Sequence, residues 1–133
     1  MVALNHLIVW CTDKQRGADH VANILGLGPP RDFAGQFLVV DLGNGVSLDY
    51  ADRSGVEFTP QHLAFLVSER EFDEIYERIE RENLDYWADP AKRVPGRINR
   101  HDGGRGVYWE DPDGHLLEII TRPYGAETET SGG

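Results

Sequence analysis

A repeat within the chain constrains its fold more than any other feature of the sequence. Residues 5–14 read NHLIVWCTDK and residues 61–70 read QHLAFLVSER, so that His6 aligns with His62. Each segment is a short apolar run of the kind that forms a strand, followed by a polar helix start. Two such segments in one chain predict two copies of the same structural unit.

Helical patterns follow both repeated segments. Thr12 and Ser68 are predicted N-caps, and Gln15 and Glu71 stand where a side chain can complete each cap. Apolar residues then recur at helical spacing, more regularly in the second half than in the first. Gly26 predicts the end of the first helix.

Each half closes with two strands around a turn. The turn sequences are GNG at residues 43–45 and DPDG at residues 111–114. The fourth residue after the turn glycine is Asp49 in the first half and Glu118 in the second. The two carboxylates, like the two histidines, are therefore pseudo-equivalent. The predicted strands are 35–42, 46–50, 106–110 and 115–121.

The pattern predicts an α+β fold of two tandem βαβββ modules. We expect them to form an open, curved mixed β-barrel with the helices outside. A length of 133 residues fits one domain, with module 1 at about 3–52 and module 2 at about 60–123. The polar tail, residues 126–133, is predicted to be disordered.

His6, His62 and Glu118 are polar members of otherwise apolar strand rows. A lone strand histidine is usually a hydrogen-bonded core residue. Here a histidine occurs at the same position in both halves, and a carboxylate that would be costly to bury alone accompanies them. Both facts favour a metal site instead. Two imidazoles and a carboxylate suit Fe, Mn, Zn, Ni or Co and leave coordination positions open. Asp49 is a possible fourth ligand, with a solvated aspartate as the alternative.

Composition narrows the range of partners. The 13 basic and 23 acidic residues give a formal net charge of −10, which argues against nucleic acid and against an anionic membrane surface. We find no signal peptide and no membrane span in the sequence, so we expect a cytoplasmic protein. The only cysteine, Cys11, excludes an intramolecular disulfide and is read as an inert core residue.

Three segments resemble the vicinal oxygen chelate superfamily, which includes glyoxalase I, extradiol dioxygenases, fosfomycin-resistance thiol transferases and bleomycin-binding proteins. They are residues 4–7 (LNHL), 61–65 (QHLAF) and 108–118 (YWEDPDGHLLE). The resemblance covers about residues 3–123. It implies a cup built from paired modules, a homodimer, and one divalent metal ion. The metal ligands it implies are His6, His62 and Glu118.

Further candidates lie near the last strands and in the long loop before them. Tyr108 resembles a substrate-contacting tyrosine of the fosfomycin-resistance branch, with core packing as the alternative. The loop at residues 90–105 holds five basic residues and His101. If this loop is functional rather than simply solvated, Arg97 and Arg100 contact an anionic or phenolic substrate, and His101 is an acid–base group.

The functional prediction is a metal-dependent enzyme that binds two adjacent oxygens of a small substrate. Dioxygenase-type and glyoxalase-type lyase chemistry both remain open from the sequence. The alternatives are a non-catalytic resistance protein that binds a bleomycin-like antibiotic, and a structural or regulatory remnant.

Overall fold

The computed structural model describes residues 1–53, 55 and 57–125. The tail predicted to be disordered, at residues 126–133, lies outside them. The described elements, in chain order, are β1 His6–Cys11, α1 Lys14–Leu25, β2 Arg31–Phe33, β3 Phe37–Asp41, β4 Ser47–Asp52, β5 His62–Leu66, α2 Glu69–Arg81, β6 Tyr86–Trp87, β7 Gly106–Glu110 and β8 Leu116–Ile120. A 3₁₀ turn at His101–Gly103 precedes β7.

The strands form two four-stranded mixed sheets with the same topology. Their strand orders are β1-β4-β3-β2 and β5-β8-β7-β6. In each sheet the first and last strands of a module are parallel neighbours, and the other pairs are antiparallel. The predicted α+β class with two βαβββ modules is confirmed.

The first compact unit comprises Met1–Gln61 and the turn Asp111–Gly114. Helix α1 lies against β3 and β4, and its apolar residues are buried with those of the sheet. Gly17 allows the close approach, since a Cβ there would lie 3.1 Å from the Tyr50 ring. The largest fully buried apolar side chains of this unit are Val9, Val21, Ile24, Leu48 and Tyr50.

The N-cap predicted for α1 was wrong by one residue. The cap is Asp13, whose carboxylate accepts from the backbone N–H groups of Gln15 and Arg16. Thr12 has a tertiary partner instead: its hydroxyl donates to Asp113 Oδ1 over 2.8 Å. The predicted helix end is correct, because Gly26 takes the left-handed conformation that closes α1.

The second unit comprises His62–Glu110 and, among the described residues, 115–125. Helix α2 begins as predicted, with a complete capping box between Ser68 and Glu71. The helix buries Phe72, Ile75 and Ile79. The sheet of this unit buries Val107, Trp109, Leu117 and Ile119.

Two short strands were not individually predicted from the sequence. β2 has three residues, all exposed, and β6 has only two. Segments this short show no usable periodicity, so only the module pattern indicates a third strand there. The other strand boundaries differ from the predictions by at most two residues. Neither described helix is long and apolar enough to cross a membrane.

Candidate active site

A histidine and a buried carboxylate meet on the second sheet. β5 and β8 are parallel neighbours in which Ala64 lies opposite Glu118, so His62, two residues before Ala64, shares the face of Glu118. His62 Nε2 lies 3.0 Å from Glu118 Oε1. Glu118 is only 7% exposed, whereas the His62 side chain is half exposed. The imidazole therefore stands between a buried negative charge and solvent.

Tyr108 completes this part of the site from the other side. It lies directly opposite Glu118 on the antiparallel strand β7, and its ring centroid is 6.0 Å from that of His62. Burial raises the pKa of Tyr108 far above its ordinary value, and the hydrogen bond to Glu118 and the charge of that carboxylate raise it further. Tyr108 is therefore a neutral hydroxyl that donates to Glu118.

A cavity of roughly 360 Å³ opens beside Glu118. It brings together three predicted site residues, His101, Tyr108 and Glu118. Arg97 and Arg100 are exposed and do not line the cavity. The arginines that line it are Arg105 and Arg122. The remaining lining residues are Asn99, Asp102, Ile120, Tyr124 and Gly125.

The loop that carries His101 is held by Asn99. Its backbone pairs with Gly106 through two hydrogen bonds of 2.8 and 3.0 Å, and its side-chain amide donates to Ala88 O over 2.8 Å. A Cβ on Gly106 would lie 2.9 Å from the Asn99 amide, so a side chain there would displace that amide. Sequence reasoning missed Asn99, because its role depends on a contact that no local pattern reveals.

Arg105 anchors the same loop to α2. It forms ion pairs of 2.7 Å with Glu69 and 2.8 Å with Asp73, and its guanidinium lies 4.3 Å from the centroid of the Phe72 ring. The positive charge of Arg105 is thus already balanced by two carboxylates. Its function in the cavity wall is structural support.

The first sheet repeats the geometry of the second in register but not in contacts. Ser47 lies opposite His6 and Asp49 opposite Ile8, as Leu116 lies opposite His62 and Glu118 opposite Ala64. However, Asp49 accepts a hydrogen bond of 2.9 Å from Ser47. The His6 ring pairs with its neighbour Asn5 over 2.7 Å.

The His62–Glu118 pair fits a divalent metal ion. Two donor atoms about 2.1 Å from one ion and at a right angle to each other lie roughly 3.0 Å apart, which matches this pair. Among the described residues, no three His, Cys, Asp or Glu side chains are grouped so that they could hold a metal. The pair therefore supplies two donors, and the predicted ligand role of His6 and the possible role of Asp49 stay predictions.

Comparison with known proteins places this geometry in a family. A solved structure named Oxidase ChaP-H1 is 58% identical and superposes with a TM-score of 0.90, covering 95% of this chain and all of that one. Glutathione transferase FosA from Serratia marcescens is 30% identical over 123 residues, which are 88% of this chain and 79% of FosA. This chain belongs to the vicinal oxygen chelate superfamily.

Another vicinal oxygen chelate relative matches over a shorter stretch. Metallothiol transferase FosB from Shouchella clausii (strain KSM-K16) is 37% identical over 71 residues, 53% of this chain. The match spans 44% of the length of that FosB. A scan of protein-family profiles gave no match.

The relatives that cover most of the chain are named as enzymes, two transferases and an oxidase, and the chain is an enzyme. Its curated relatives are named for thiol transfer and fosfomycin resistance. They give no support to the glyoxalase-type or dioxygenase-type reactions expected from the sequence. The expected alternative of a non-catalytic, bleomycin-like binding protein also has no counterpart among them.

Cys11 of this vicinal oxygen chelate chain is an interior residue. Its thiol is fully buried and donates to Ala51 O over 3.2 Å. Burial, assisted by the carboxylates of Asp113 and Asp52, raises the pKa of the thiol to about 12. A thiol of this kind is a poor nucleophile at neutral pH.

We therefore expect Cys11 to resist a disulfide reagent in the folded protein at roughly pH 8 and to react at once when the chain is denatured. Because its folded pKa lies above the unfolded value, its contribution to stability is present below about pH 9 and falls as the pH rises to about 12. Urea unfolding of the wild type and of Cys11→Ala across this range isolates the effect. Rapid labelling of the native protein would contradict the interpretation.

Proposed function

We propose that this protein is a divalent-metal-dependent oxidase that binds a small substrate through two adjacent oxygens. The observation that carries the proposal is the His62–Glu118 pair, whose donor atoms lie 3.0 Å apart beside a cavity. The 58% identity over nearly the whole chain with a protein named an oxidase supports oxidation as the reaction class.

Each side chain of the site has a separate chemical role in the proposed reaction. A bound divalent ion would supply Lewis acidity for the substrate oxygens and a means of using dioxygen. His62 and Glu118 would hold that ion, and the buried charge of Glu118 would be compensated by it. Tyr108 keeps the Glu118 carboxylate oriented through its hydroxyl. His101, on the cavity wall, is placed to accept or return a substrate proton.

The cavity wall favours a substrate with anionic or phenolic oxygens. Arg122 and His101 line it. These groups donate hydrogen bonds to oxygen and stabilise negative charge. The volume of roughly 360 Å³ is within the range of small-molecule sites.

We expect the purified protein to contain about one equivalent of Fe, Mn, Zn, Ni or Co, measured by elemental mass spectrometry without chelator or affinity-tag metal. His62→Ala removes a nitrogen donor, and Glu118→Gln replaces an anionic oxygen donor with a neutral amide oxygen, so each variant should lose most of the metal. His101→Ala is the matched control, because it changes a cavity histidine outside the pair. Full metal content in both ligand variants would contradict the proposed site.

The third protein ligand is proposed to be His6 from a second copy in a homodimer. His6 is exposed on β1, where a partner can reach it.

A mixing experiment tests this arrangement. His6→Ala and His62→Ala should each fail to bind metal tightly as homodimers. A mixed dimer, refolded from both chains, would have one site with all three ligands if His6 comes from the partner. We expect metal content to recover to roughly a quarter of wild type in an equimolar random mixture, in which half the dimers regain one of two sites. No recovery would place His6 and the pair of each site on the same chain.

Thiol transfer, with glutathione as the thiol, is the second candidate function. It is favoured by the 30% identity with the FosA glutathione transferase over most of both chains. Both reactions need the same metal pair, so metal binding alone does not separate them.

Two assays on the metal-loaded protein separate the candidates. We expect His62-dependent dioxygen uptake with a panel of catechols and α-hydroxy ketones, recorded with an oxygen electrode. Fosfomycin loss in the presence of glutathione is followed in parallel. Fosfomycin conversion without dioxygen uptake would replace the oxidase proposal with thiol transfer.

A further inference from the structure

Tyr124 is an aromatic side chain at the cavity that the sequence did not single out. Its surface is 93% exposed, yet it lines the same cavity as Glu118 and Tyr108. A large aromatic surface in this position is available to cover a bound molecule.

The segment that carries Tyr124 is fastened by Asp102. The Asp102 carboxylate accepts the backbone N–H of Gly125, the next residue, over 3.2 Å. Asp102 itself has a φ of 57°, in the left-handed region that aspartate tolerates better than most residues. Asp102 thus has the backbone conformation that turns the His101 loop, and its side chain binds the residue that follows Tyr124.

The loop around Asp102 is fixed by the hydrogen bond from Gly104 N to His101 O and by the pairing of Asn99 with Gly106. The position of Tyr124 at the cavity is therefore set by Asp102 within a fixed frame.

We propose that Tyr124 is a specificity-determining residue that covers one face of a planar substrate, and that Asp102 is the positioning residue that holds it there. The inference rests on the proposed function, since the substrate is taken to bind at the His62–Glu118 pair. Stacking on Tyr124 selects a flat ring over a small ligand that offers the same two oxygens.

The test compares two probes on the metal-loaded full chain by titration calorimetry. Catechol and oxalate both offer two adjacent oxygens, but only catechol has a ring to stack. Tyr124→Ala should weaken catechol binding roughly five- to tenfold, the fold-change expected from one lost aromatic contact, and leave oxalate binding unchanged. Tyr124→Phe keeps the ring and should bind both probes like the wild type.

Two variants of Asp102 separate the effect of its hydrogen bond to Gly125 from the effect of its left-handed backbone conformation. Asp102→Gly adopts a left-handed backbone freely but has no acceptor for Gly125 N–H, so it should lose catechol affinity as Tyr124→Ala does. Asp102→Asn keeps an acceptor oxygen and tolerates the same backbone, so it should retain catechol affinity. A purely structural role would instead move both probes together.

The outcomes distinguish this inference from the proposed function. Oxalate binding by every variant, with catechol affinity unchanged in Tyr124→Ala and Asp102→Gly, would overturn the role of Tyr124 and leave the metal site standing. Failure of the wild type to bind either probe, with metal supplied, would overturn both.

Discussion

The parallel pairing of the first and last strands of the second module is the constraint on which the site depends. It aligns β5 with β8 so that His62 and Glu118 share one face of the sheet, with their donor atoms 3.0 Å apart. The antiparallel strand β7 then brings Tyr108 opposite the same carboxylate. A register shift of one residue in either pair would turn these side chains to the other face. The helix-side core, which includes Trp109, Leu117 and Ile119, opposes such a shift because those residues would lose their burial.

The electrostatics of the site follow from that register. Glu118 is almost completely buried, and a carboxylate in that environment needs partners. Tyr108 provides a neutral donor and His62 a nitrogen atom, and a bound cation is the remaining compensation that the proposed function supplies. Around this centre the wall is rigid where it carries His101, through Asn99, Gly106 and Arg105. The site therefore combines a polar centre set by strands with a cavity wall set by one anchored loop.

The sequence predicted the two-module architecture, and it singled out His62, Tyr108 and Glu118, which the structure brings together. The repeat around His6 and His62 predicted two βαβββ modules, and the turn spacing predicted that Asp49 and Glu118 are equivalent, as their register shows. What it could not predict depends on contacts between distant residues. Thr12 was read as a helix cap because its true partner, Asp113, is about a hundred positions away. Arg97 and Arg100 were singled out by their charge, but they do not line the cavity. Tyr124 does line it, and the next residue, Gly125, is hydrogen-bonded to Asp102, a contact that no sequence pattern reveals.

The two sheets share one register but make different contacts at it. Ser47 of the first sheet is at the position that Leu116 has in the second. Its hydroxyl donates a hydrogen bond to Asp49, whose side chain is shorter than that of the equivalent Glu118. The same register position is thus a local Ser47–Asp49 contact in the first sheet and a His62–Glu118 pair in the second. An equal backbone register therefore does not by itself make an equal site.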